Sequence, residues 1–88
     1  MVLADPPHWW DWELELTPHV EKRMEQRGFS EVDLRTMLHG AAGWREDWVE
    51  GRFAIQARHE RDPWEVIVEP DEEARVLVVV TAYRSEKL

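Results

Sequence analysis

Residues 75–83, Arg-Val-Leu-Val-Val-Val-Thr-Ala-Tyr, form the one segment of the chain that is apolar on both of its faces. Side chains along an extended strand alternate between faces, so Leu77 and Val79 cover one side while Val76, Val78 and Val80 cover the other. The pattern predicts the central strand of an antiparallel sheet, with a cover on each face. Burying five such side chains is worth about 8 to 15 kcal/mol before entropy is subtracted. The rest of a small domain has to be arranged around that strand.

Working back from it, Pro70 to Ala74 reads as a turn, and Trp64, Val66 and Val68 mark one apolar face of a strand over Trp64 to Glu69. Arg61, Asp62 and Pro63 form the preceding turn. Arg52 to Glu60 alternates, placing Phe53, Ile55, Ala57 and His59 on the core side and Ala54, Gln56 and Arg58 on the other. Glu50 and Gly51 join it as a hairpin to Trp44 to Val49. Upstream, Thr17 and Pro18 supply an N-cap and a first-turn proline for a helix that runs to about Arg27 and stops at Gly28. Ser30 and Asp33 open a second helix through Leu34, Met37 and Leu38 to Gly40. Trp12 to Leu16 alternates as a short strand with one wet face. The predicted fold is α+β: a strand, two short helices, then a four-stranded antiparallel meander with the helices packed on one face.

Residues 1–11 read as a lead-in rich in Trp and Pro, and 12–88 as a single domain. Trp9, Trp10 and Trp12 have two readings, a cap on the domain's own core or a patch for a partner such as a second copy. With no cysteine, the chain has no disulfide framework and no thiol nucleophile or thiolate ligand. It has no signal-peptide pattern and no apolar run long enough to span a membrane, so a cytoplasmic location is expected. Lys and Arg total 11 against 19 Asp and Glu, a net charge of -8 that opposes the field of a typical nucleic-acid binder. No spacing among the four histidines suggests a metal site, and no glycine-rich loop suggests a nucleotide site. No cofactor is expected.

Thr17-Pro18-His19 with Arg23, Arg27 and Gly28, then Trp64-Glu-Val-Ile-Val-Glu-Pro70 and Val80-Thr-Ala-Tyr83, resemble an uncharacterised bacterial family, a domain of unknown function. The resemblance covers about Trp12 to Arg84. That family is similar in layout to the small RelE-like and BrnT-like toxins of toxin-antitoxin systems. The resemblance implies metal-independent RNA cleavage, with basic residues or histidine moving protons and arginine steadying the phosphate, and it implies an antitoxin-like protein partner. It carries over no catalytic residue.

Such a ribonuclease needs a base for the ribose 2′-hydroxyl, an acid for the leaving oxygen and cations for the phosphorane. His19 and Arg23 share one edge of the first helix, and His59 ends a strand on the helix-covered side. These three are the candidate catalytic set, with Arg27 continuing the same edge. A second set, Arg58, Thr81 and Tyr83, falls on the opposite, open face, where Glu65 or Glu69 could pair with Arg58. Two functions follow as expectations, a toxin-like ribonuclease and a non-catalytic protein-binding module that keeps the fold. The net charge favours the second.

Overall fold

The computed structural model describes residues 6–85. Residues 1–5 of the lead-in and 86–88 at the end of the predicted domain lie outside that range. The elements are β1 (Glu13–Leu16), α1 (Pro18–Arg27), α2 (Glu31–His39), β2 (Gly43–Glu46), β3 (Phe53–His59), β4 (Asp62–Asp71) and β5 (Val76–Arg84). They form one five-stranded sheet in the order β1-β5-β4-β3-β2. The fold is α+β, as expected, but the sheet is mixed. The four-stranded meander is antiparallel, and β1 joins its edge parallel to β5. A strand followed by a helical crossover is free to rejoin the sheet in that orientation. β5 is an inner strand, with β4 at the geometric centre.

Local chemistry explains both helices. Thr17 caps α1 by accepting the Val20 N–H at 3.1 Å, and Gly28 ends the helix at φ 75°, a left-handed conformation that glycine adopts without Cβ strain. Ser30 and Asp33 exchange side-chain and backbone hydrogen bonds in a complete capping box at α2. α1 packs on β5 and α2 on β3, both on the same face.

The core lies between that face and the helices. Val20 and Met24 of α1, Phe29, and Leu34, Met37 and Leu38 of α2 meet Ile55, Val66, Val68, Leu77 and Val79. Trp9 is buried in the same core, and Trp10 and Trp12 are partly buried against it. The core-capping reading of the tryptophans therefore holds within the domain for Trp9.

Three local expectations need correction. The β3–β4 turn is centred on Glu60 and Arg61, whose φ values of 51° and 74° make a two-residue hairpin with His59 opposite Asp62. Asp62 and Pro63 belong to β4, and Pro70 does also, not to the turns. Second, among the described residues no element covers the other face of β5, and Val76, Val78 and Val80 there are only half-buried. Ile67 and Ala54 are buried outside the main core, with Thr81 and Arg45 directly across from them. Long polar side chains shield such positions with their stems. Third, the register slips between Ile67 and Val68, so Val80 is an extra residue between Val79 and Thr81. Strict alternation from Leu77 and Val79 would carry Thr81 and Tyr83 under the helices; the bulge returns them to the open face.

Thr17 holds that bulge. Its hydroxyl donates to Val80 O at 2.8 Å, with Val79 O at 3.1 Å, while its own N–H donates to Val79 O at 3.3 Å. One residue thus caps α1 and satisfies the carbonyls that the bulge frees. Thr17→Ala should lower stability by about 1 to 3 kcal/mol in urea unfolding, combining a lost cap with an unsatisfied carbonyl. A loss within experimental error would contradict this coupling.

Candidate functional site

On the open face the sheet brings together Arg45 from β2, Gln56 and Arg58 from β3, Glu65 from β4 and Tyr83 from β5. The register sets Gly43, Gln56, Glu65 and Tyr83 side by side across four strands. A Cβ at position 43 would lie 3.3 Å from Gln56 Oε1, so the glycine leaves room for that amide. A cleft of 460 Å³ opens here, with Arg45, Gln56, Arg58, Pro63, Glu65 and Ser85 among its walls.

Glu65 is the centre of the polar network. Its side chain is only 16% exposed. Arg45 Nη2 donates to its two carboxylate oxygens at 3.1 and 3.3 Å, and the Tyr83 hydroxyl donates to Oε1 at 2.7 Å. Burial pushes the Tyr83 phenol up to about 12 from an ordinary value of 10.0, and the hydrogen bond and negative charge of Glu65 add to the shift. Tyr83 therefore keeps its proton through the whole neutral range.

The expected pairing of Arg58 with Glu65 or Glu69 does not form. Glu65 takes Arg45, and Glu69 takes Arg52 at 3.0 Å, because those arginines lie on the same face nearer each carboxylate. Arg58 instead donates to the Arg61 carbonyl at 3.2 Å and has no carboxylate partner among the described residues. That carbonyl belongs to the turn in which Glu60 and Arg61 both have positive φ, a conformation costly for residues other than Gly, Asn or Asp. Strain of this kind clusters at functional sites.

The helix-side residues are arranged differently. His19 is exposed in the first turn of α1, Arg23 is half-buried, and Arg27 is exposed in the last turn. His59 packs at 5.3 Å from Phe29 and 6.2 Å from Trp64, with Glu60 Oε2 at 4.0 Å. It also helps to hold the Asp33 carboxyl below its ordinary value, chiefly an effect of the Ser30 backbone N–H. Among the described residues no hydrogen bond, ion pair or ring contact joins His19 or Arg23 to His59. About 12 Å of helix rise separates His19 from Arg27, at the end of α1 that leads to Phe29.

Of the second set, Arg58 lines the cleft, Tyr83 adjoins it through its hydrogen bond to Glu65, and Thr81 lies one pleat away, opposite Ile67. Arg45 escapes a reading of the sequence, and Gln56 and Glu65 enter it only as an out-facing strand residue and a pairing partner for Arg58. Their only signal is the out-facing parity of Gln56 and Glu65 on adjacent strands, which becomes informative once the register is known. Among the described residues, no group of three or more His, Cys, Asp or Glu could hold a metal ion, and no helix is long and apolar enough to cross a membrane.

Titration of the single tyrosine checks the network directly. A folded value raised above the unfolded one means that the contribution of Tyr83 to stability is complete below pH 10 and is lost as pH rises through about 12. Absorbance should show a midpoint near 12 in the wild type and a lower one in Glu65→Gln. A midpoint near 10.0 in both would contradict the contact.

The chain belongs to the family described as Domain of unknown function (DUF4258), whose model matches residues 16–87. Neither a curated protein nor a solved structure matches it.

Proposed function

We propose, for this member of a family without an assigned activity, that the open-face cleft is a metal-independent ribonuclease site related to those of RelE-like and BrnT-like toxins. The observation that carries the reading is a carboxylate held between an arginine and a phenol that holds its proton at neutral pH, with a second arginine free of carboxylates in the same cleft. Glu65 takes the proton of the ribose 2′-hydroxyl, and that oxygen attacks phosphorus to give a 2′,3′-cyclic phosphate. Tyr83 gives its proton to the departing 5′-oxygen and recovers one from Glu65 along their 2.7 Å hydrogen bond. Arg45 and Arg58 stabilise the phosphorane charge. Proton count and charge balance without a metal or cofactor.

The net charge of -8 supports a second reading, a non-catalytic protein-binding module. The charged residues that line the cleft are nonetheless two arginines, Arg45 and Arg58, and one carboxylate, Glu65, whereas Glu13 and Glu15 project from β1 at the far edge. Incubating the purified protein with single-stranded RNA in chelator, and analysing the termini formed, separates the readings. Ends carrying 2′,3′-cyclic phosphate are expected. Intact RNA at high enzyme concentration would remove the ribonuclease reading and leave the binding module, with an antitoxin-like protein as its partner.

A further inference from the structure

The bulge at Val80 carries no glycine. No residue of β5 has a positive φ, so the bulge is not the type that a left-handed glycine enforces by itself. A contact from outside the strand has to favour it. Successive carbonyls of a regular strand point to opposite edges, so one group beside β5 would meet only one of two neighbours. Here Val79 O and Val80 O converge on a single side chain, the Thr17 hydroxyl, at 3.1 and 2.8 Å. That convergence is the mark of the extra residue, and the hydroxyl supplies a donor to the carbonyl that the bulge turns away from the ladder. The same oxygen accepts the Val20 N–H at 3.1 Å, and the Thr17 N–H continues the β1–β5 ladder to Val79 O at 3.3 Å. Thr17 is thus anchored by α1 and by the sheet edge while it holds the bulge.

Beyond the bulge lies the open-face network. Ala82, fully buried, takes the next core position, and Thr81 and Tyr83 turn outward. Tyr83 stands opposite Glu65 in the ladder, and its hydroxyl reaches the Glu65 carboxylate at 2.7 Å. In an unbroken strand the tyrosine would share the face of Leu77 and Val79, under the helices, with the sheet between its phenol and Glu65.

We propose that Thr17 is a positioning residue for the open-face site: from the edge of the sheet, its hydroxyl holds the bulge that sets Tyr83 against Glu65. The expected effect on rate rests on the ribonuclease reading of the cleft, whereas the placement of Tyr83 stands apart from it.

Thr17 caps α1 and holds the bulge, and substitutions separate the two. Thr17→Val removes the hydroxyl at nearly constant volume, and with it both contacts. Thr17→Asp keeps an oxygen to accept the Val20 N–H but has no proton to give Val79 O or Val80 O. Thr17→Ser keeps both. In the full chain at neutral pH, with folding checked by circular dichroism, the ring of the single tyrosine should show nuclear Overhauser contacts to the Glu65 side chain in the wild type and in Thr17→Ser. Those contacts should be lost in Thr17→Val and Thr17→Asp. Against single-stranded RNA the latter two should lose about a hundredfold in kcat, the scale of a roughly 1 Å misplacement caused from a distance. KM should stay near the wild-type value, because the phenol gives up its proton only in the transition state. Wild-type tyrosine contacts in Thr17→Asp would reduce Thr17 to a helix cap and overturn the proposal, as would contacts retained in Thr17→Val. If the wild type cleaves no RNA, the ribonuclease reading falls and the tyrosine contacts alone decide the role of Thr17.

Discussion

With the open-face cleft as the proposed ribonuclease site, Glu65→Gln should reduce RNA cleavage by about a hundredfold to ten-thousandfold, the usual cost of removing a general base. The amide is nearly isosteric and keeps an oxygen to accept the Tyr83 hydroxyl, so the loss falls on proton abstraction rather than on the fold. KM should change little, because the proposed phosphate contacts of Arg45 and Arg58 are left in place. The stability change is modest, since the ion pair with Arg45 is half-exposed on the arginine side. His19→Ala serves as the matched comparison. It lies on the helix that covers the other face of the sheet, and with the cleft as the site its rate stays at the wild-type level. Equal cleavage by Glu65→Gln and wild type, or a collapse in His19→Ala alone, would move the chemistry to the helix side.

Leu34→Ala is expected to destabilise the domain by about 2 to 5 kcal/mol, through lost transfer energy and the cavity left beneath α2. Leu34 is fully buried, and α2 is held to the sheet mainly by Leu34, Met37 and Leu38. A domain of this size has a total stability of about 5 to 13 kcal/mol, so the variant approaches the unfolding threshold. Val32→Ala on the exposed side of the same helix should cost almost nothing. Urea titrations with an unchanged m-value for both variants would locate the effect in the native core. A Leu34→Ala loss below about 1 kcal/mol would contradict the packing.

What the sequence made legible was chemistry acting over a few residues. The Thr17-Pro18 start, the Gly28 stop and the Ser30–Asp33 box each depend on neighbours within one turn, and each is present. The alternation of β3 was equally plain, since Phe53, Ile55 and Ala57 face the core as a period of two requires. The β3–β4 turn was misplaced because Glu60 and Arg61 adopt left-handed backbone without the glycine or asparagine that would announce it. The bulge at Val80 left no local mark either. It is set by where Val68 and Ile67 pair across the strand and by the Thr17 hydroxyl, 63 residues away in the chain.

The candidate site was legible only in part for the same reason. Arg58 could be placed on the open face by parity, whereas Tyr83 reaches that face only through the bulge at Val80, and the neighbours of both depend on register between strands. Arg45 reaches Glu65 across 20 positions, and Tyr83 reaches it across 18, so neither contact has a sequence signature. The helix-edge spacing of His19, Arg23 and Arg27 was real as a pattern. It does not extend to a contact with His59, because α1 carries His19 away from the Phe29 end, where His59 packs.

The most direct test of the open-face site is an NMR titration of isotope-labelled protein with a dinucleotide whose 2′-oxygen is methylated, so that it binds without being cleaved. Saturable shift changes are expected at Arg45, Gln56, Arg58, Glu65 and Tyr83, with His19, Arg23 and His59 unmoved. Shifts confined to the α1 edge and His59, or none up to millimolar ligand, would contradict a phosphodiester site on the open face of the sheet.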